Sequence, residues 1–220
     1  MISPILKVQK ACPSLRSGRL DSGQFTWQMP AHFWTDKSPI VVCSTITPGL
    51  AEPAMEELVD KVHESCSASV LDGTEIVYVL RVPTRKIMTI NHSIGSRLPA
   101  FCTSMGRVLL GNLDDAGLDA VMSQPELKPH TKCTVTNPTR LKNIIAEDRK
   151  KGWSLIDQEL EEGLCSIAVP LIDFSGRTIA AMNIGDNVTR TSGADLVKKV
   201  LPELPAAAIK INTALKLRRS

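Results

Sequence analysis

The chain has 220 residues, of which 43% are hydrophobic, enough for a proper core, so global disorder is excluded. No apolar run approaches the roughly 20 residues of a membrane span, and residues 1–20 lack the apolar core of a secretory signal, which makes the cytoplasm the expected compartment. Net charge is +3, yet residues 47–220 carry 21 Lys/Arg and 21 Asp/Glu, and so neutral a body lacks the broad cationic surface that non-specific phosphate binding uses.

Residues 1–47 read as irregular. Pro4, Pro13, Pro30, Pro39 and Pro48 recur about every nine residues, leaving little room for a normal helix. A short strand pair is expected around "GRLDSGQFTW", turning at Asp21-Ser22-Gly23. From residue 50 the periodicity sharpens: Leu50, Met55, Leu58, Val59 and Val62 share one helical face, with acids toward the start. "ASVLDGTEIVYVLRV" predicts a hairpin that turns at Asp72-Gly73. "CTSMGRVLLGNL" predicts a short helix entered through Thr103 or Ser104, and "DDAGLDAVMSQ" another. Asn137-Pro138 opens a basic amphipathic helix that Gly152 ends. "WSLIDQEL", "CSIAVPLID" and "TIAAMNIG" then read as strands, with residues 174–177 turning between the last two. Ser192 caps a final helix that Pro202 and Pro205 bend or restart. This order gives an α+β fold with a largely antiparallel sheet.

Six scattered cysteines (Cys12, Cys43, Cys66, Cys102, Cys133 and Cys165) form no C-x-x-C pair. Neither a zinc site nor a disulfide framework is suggested, and reduced, mostly buried thiols are expected. No metal and no cofactor is called for. Arg81 and Arg85 flank Pro83 at the end of an apolar strand. A guanidinium there could grip a carboxylate bidentately. The bland alternative is that both arginines are solvated or meet acids at a subunit interface, and Arg81 is the better ligand candidate.

The run from Cys66 to Leu113, "CSASVLDGTEIVYVLRVPTRKIMTINHSIGSRLPAFCTSMGRVLLGNL", joined to "GWSLIDQELEEGLCSIAVPLIDFSGRTIAAMNIG", resembles the effector-binding domain of IclR-type bacterial transcription regulators. Within the family it is most similar to the branch controlling aromatic-acid catabolism. The likeness spans about residues 48–218. It implies a GAF-like fold, a curved antiparallel sheet flanked by helices, with a pocket for a small carboxylate effector, either an aromatic or a dicarboxylic acid. It also implies homodimer or tetramer assembly, and DNA binding through a winged helix-turn-helix ahead of the domain. Residues 1–47 do not resemble an intact winged module, and the expectation is a vestige of it, from truncation or a frameshift.

Carried over position by position, the resemblance implicates Ser104 and Met105 beside Thr103, with a helix start that would present free N–H groups to an anion. The alternative for Ser104 is simple capping. Asp157, Leu164 and Ser166 supply an opposite wall, and Asn183 and Gly185 match positions that approach the effector in relatives. Asn183 both donates and accepts, whereas Gly185 contributes only space and Met182 reads as core. Glu159, Glu161 and Glu162 read as a solvated loop rather than a metal cluster. His63 reads as surface, and His92 is a minor pocket candidate.

Three functions follow from these residues: a carboxylate sensor reduced mainly to its sensing and assembly domain, a complete DNA-binding regulator with an unrecognised reader in residues 1–48, or a GAF-type thiol enzyme such as a methionine sulfoxide reductase built on Cys102. The thiol chemistry needs a low-pKa thiolate and a resolving partner, neither visible here. The sensor is favoured, and no enzymatic activity is expected.

Overall fold

The computed structural model describes residues 17–19, 25–27, 48–84, 92–123 and 127–217. Two three-residue strands, β1 (Ser17–Arg19) and β2 (Phe25–Trp27), pair antiparallel with Gly18 opposite Thr26. The expected strand pair therefore forms, while its turn lies outside the described residues. The remaining elements are α1 (Pro48–Val62), β3 (Cys66–Asp72), β4 (Glu75–Val82) and β5 (Arg97–Pro99), followed by a 3-10 turn over Ala100–Cys102. Then come α2 (Ser104–Leu110), α3 (Asp115–Met122), α4 (Pro138–Lys151), β6 (Ser154–Asp157), β7 (Leu164–Ile172), β8 (Thr178–Asn187), α5 (Gly193–Val200) and α6 (Leu204–Leu217).

Strands β3 to β8 form one antiparallel sheet in the order β5-β4-β3-β8-β7-β6, the α+β arrangement that the chain order predicts, and helices pack on both of its faces. Side chains alternate across each strand, and the sequence uses the two faces differently. On one face Cys66, Ala68, Ile167, Val169, Met182 and Ile184 pack against apolar residues of α1, α5 and α6. On the other, Ala168 and Ala181 join Tyr78, Met105, Leu109 and Ile145 under α2 and α4. Each fully buried Leu, Ile or Met contributes about 1.5–3 kcal/mol, so Met55, Leu58, Leu141, Ile167 and Met182 anchor helices and sheet together.

Local chemistry sets the ends of the elements. Gly73 takes φ +65° in the β3–β4 turn. Asp72 still pairs with Glu75, so the two loop residues are Gly73-Thr74, one step beyond the expected Asp72-Gly73. In α4, Asn137 Oδ1 accepts the Arg140 N–H at 2.9 Å, Pro138 opens the helix, and Gly152 closes it at φ +78°. The C-terminal stretch restarts rather than bends: α5 stops at Val200, and α6 begins at Leu204 with Pro205 in its first turn, where a missing N–H costs nothing. The expected acids at the start of α1 are absent from its first turn. His63 lies just beyond α1, exposed, at φ +57°.

Candidate functional site

Cross-strand register builds the site. Ser67 of β3 stands opposite Arg81 of β4 on one side and Asn183 of β8 on the other, and one step along, Gly185 of β8 faces Ser166 of β7, which faces Ile156 of β6. Direct partners project to the same face, so a row of Arg81, Ser67 and Asn183 lies beside a row of Gly185, Ser166 and Ile156 on the α2 face, where small and polar side chains leave the middle of the sheet open. The cavity above them encloses about 570 Å³ when the open solvent at its mouth is counted in.

Seven of the expected residues line this one cavity: Arg81, Ser104, Met105, Leu164, Ser166, Asn183 and Gly185. Asp157 is the exception. Ile156 takes the cavity side of β6, so Asp157 faces the other way, its carboxylate 3.3 Å from where a Cβ on Gly193 would stand. Arg85 lies outside the described residues. A side chain at Gly185 would meet only ordinary contacts, 3.7 Å or more away, so the glycine leaves room without being sterically required.

Of the two expected entry residues of α2, Thr103 does the capping, its hydroxyl accepting the Gly106 N–H at 3.2 Å while donating toward the Pro99 and Ala100 carbonyls. Ser104 is thereby free to reach across the cavity, where its Oγ lies 2.8 Å from Ser166 Oγ. Arg81 Nη1 donates to Ser67 Oγ at 3.3 Å. Among the described residues, Arg81 is the only charged side chain on the cavity wall, and none of those lining it is acidic.

Ser65, Ser67, Tyr78, Ile156 and Leu160 also line the cavity although sequence reasoning did not single them out. The alternation of small polar residues in "ESCSAS" was their available signal. His92 lies on the wall too. Burial, then the neighbouring Arg81, lowers its pKa, with Glu161 opposing. Burial pushes the Tyr78 hydroxyl up to about 12 against the pull of Arg81.

The loop between β6 and β7 corrects one expectation. Glu159 is buried rather than solvated, its carboxylate 2.7 Å from Arg107 Nη2 and accepting the Val135 N–H at 3.0 Å. Thr131 and Thr134 hydroxyls donate to the carbonyls of Gln158 and Glu159, each at 2.6 Å. These bonds hold Leu160 over the cavity.

Cys102, the cavity thiol, is not poised as a nucleophile. Burial first, and then Glu159, pushes the Cys102 thiol up to about 12, far from a reactive thiolate. Among the described residues no cluster of His, Cys, Asp and Glu could hold a metal ion, and no helix is long and apolar enough to cross a membrane.

Comparison with known proteins now places the chain. A Pca regulon regulatory protein of Pseudomonas putida is 37% identical over 178 residues, 80% of this chain and 59% of the relative. The chain spans about three fifths of the curated relatives it matches. Among solved structures, that of RHA06195 from Rhodococcus sp. RHA1 is similar with a TM-score of 0.75 at 45% identity, over 80% of this chain and 71% of that one. The inducer-binding domain of Acinetobacter PobR, solved as a double mutant with 3-hydroxybenzoic acid, gives 0.70 at 30% identity, over 76% of this chain and 97% of that one. The family model described as bacterial transcriptional regulator IclR C-terminal matches residues 47–213, and this chain belongs to that family of transcriptional regulators.

Proposed function

We propose that residues 48–220 are the sensing domain of a regulator of aromatic-acid catabolism, and that the cavity above β3, β8 and β7 binds a small carboxylate effector. The observation carrying this is the guanidinium of Arg81 on a wall that, among the described residues, holds no other charge and no acid, which complements an anion and nothing cationic. Ser104, Met105, Leu164, Ser166, Asn183 and Gly185 complete the contacts; Asp157 is left aside because it faces away. The similarity to the Pca regulatory protein, and the acid in the PobR domain, support an aromatic acid over a glyoxylate-sized one.

A bound effector shifts an equilibrium only by binding two arrangements unequally. Here it would bridge β4, β8 and the start of α2. Assembly as a homodimer or tetramer transmits occupancy, and operator contact belongs to a winged helix-turn-helix rather than to this charge-balanced domain. The test is a thermal-shift panel with protocatechuate, 4-hydroxybenzoate, β-ketoadipate, glyoxylate and pyruvate. A saturable rise in Tm with one acid, lost in Arg81→Ala, is expected. A protein that melts cooperatively and responds to none of the five would end the proposal.

A further inference from the structure

His92 carries a buried Nε2 that has no hydrogen-bond partner among the described residues, on the wall of the cavity. Its ring lies tilted against Tyr78, the centroids 5.6 Å apart, so the imidazole is held by packing while one nitrogen is left unmatched. An enclosed polar atom without a partner is costly and uncommon in folded proteins, and a ligand in this cavity would satisfy it.

The chemistry of that ligand group can be narrowed. The charged groups acting on the imidazole are Arg81 from β4 and Glu161 from the β6–β7 loop, with the Tyr78 hydroxyl nearby; burial and Arg81 favour its neutral form. Neutral imidazole offers Nε2 as a donor or an acceptor according to tautomer. A hydroxyl can answer either tautomer. A second carboxylate could only accept, and among the described residues the wall holds no second cation to balance it. The Ser104–Ser166 hydroxyl pair, also neutral, suits a hydroxyl in the same way. Between these polar points, Tyr78, Ile156, Leu160 and Met105 offer apolar surface to a ring.

We propose that His92 is a ligand contact that sets specificity, its Nε2 meeting a hydroxyl of the acid whose carboxylate Arg81 holds. The site then takes hydroxylated aromatic monoacids in preference to benzoate and to aliphatic dicarboxylates. This rests on the carboxylate-sensor proposal and adds a residue and a ligand class to it.

The experiment is calorimetric titration of the full chain with benzoate, 3-hydroxybenzoate, 4-hydroxybenzoate and adipate at pH 7.5. It is repeated with His92→Phe, His92→Leu and His92→Gln. The better hydroxybenzoate should bind about tenfold or more tighter than benzoate, the effect of one matched buried polar group, and tighter than adipate. Phenylalanine, or the smaller leucine if the larger ring does not fit, should bring the hydroxybenzoate-to-benzoate ratio within about twofold of unity. Glutamine, which keeps a polar tip, should recover part of the preference. A ratio unchanged in both apolar variants, or adipate binding tightest, overturns the role of His92 while Arg81-dependent binding keeps the sensor proposal standing. If none of the four acids binds, or binding survives Arg81→Ala, the sensor proposal fails first and this inference with it.

Discussion

Replacing Glu159 by alanine tests how the cavity's roof is held. The carboxylate sits 2.7 Å from Arg107 Nη2, and the arginine side chain is only 2% exposed. Alanine would leave that guanidinium buried with one remaining acceptor, the Phe101 carbonyl 3.0 Å from Nε, and would strip the Val135 N–H of its acceptor. Breaking a buried pair from one side costs about 3–5 kcal/mol, and an orphaned buried N–H about 1–3 kcal/mol. The two losses overlap, so a total of about 4 kcal/mol is expected, a large fraction of the roughly 5–15 kcal/mol that holds a domain together. Urea unfolding followed by far-UV circular dichroism reads this as a lowered midpoint at constant slope. The paired replacement Arg107→Met with Glu159→Leu removes both charges and should cost much less than Glu159→Ala alone. A single-variant loss under about 1 kcal/mol, or a double variant as unstable as the single one, would refute the claim that an uncompensated buried charge is the source of the effect.

Three further outcomes are expected. Gly106→Ala should destabilise by about 3 kcal/mol or more, because its Cβ would meet the backbone of Ala100 rather than a yielding side chain; a Tm within a few degrees of the parent protein would contradict that contact. His92 should make stability depend on pH: its folded pKa lies below the ordinary 6.5, so its contribution is whole above about 6.5 and is lost as pH falls through the lower folded value. Urea midpoints between pH 5 and 7.5 should therefore drop less in His92→Phe than in the parent protein, and a steeper drop in the variant would reverse the sign. Among Cys66, Cys102, Cys133 and Cys165, only Cys133 is exposed, so iodoacetamide should label it in the folded protein and reach the other three only on unfolding, as peptide mass mapping would show.

Much of the fold was legible because its elements announce themselves locally. Asn137-Pro138 and Gly152 bracket α4, and Gly73 lies in the β3–β4 turn, through side-chain chemistry that needs no tertiary context. Six of the seven cavity residues were reachable through motif matching and Arg81 through its place at the end of an apolar strand, whereas spacing alone would not have joined Arg81 to Asn183 across 102 positions; only register through Ser67 does that. What stayed hidden depended on long-range burial. Glu159 looks like one of three loop acids, and nothing local distinguishes it from Glu161 or Glu162. Its partner Arg107 lies 52 residues upstream. Asp157, matched only as lying at or next to a contact position, falls off the cavity wall because Ile156 takes the cavity side of a four-residue strand, too short a pattern for alternation to fix the face from sequence.

The distribution of buried charge sharpens what Arg81 is for. Glu64, almost fully buried, meets Lys199 at 3.1 Å and Arg190 at 3.7 Å. Asp186 meets Arg190 at 2.6 Å, Asp173 meets Arg177 at 3.3 Å, and Glu159 meets Arg107. Each of these pairs ties elements or loop ends together, and each compensates within the protein the cost of taking a charge out of water. Arg81 breaks the pattern: the polar contact of its guanidinium is the neutral Ser67 hydroxyl, and its charge presses on His92 and Tyr78. A half-buried cation with no carboxylate partner among the described residues is a cost to the free domain, relieved when an anion enters. Removing it should therefore leave the fold intact or slightly firmer while abolishing the response to acids. That pairing of outcomes separates Arg81 from Arg107, whose loss would do the reverse. If Arg81→Ala melts several degrees lower than the parent protein, Arg81 is a structural residue and the carboxylate has to be held elsewhere.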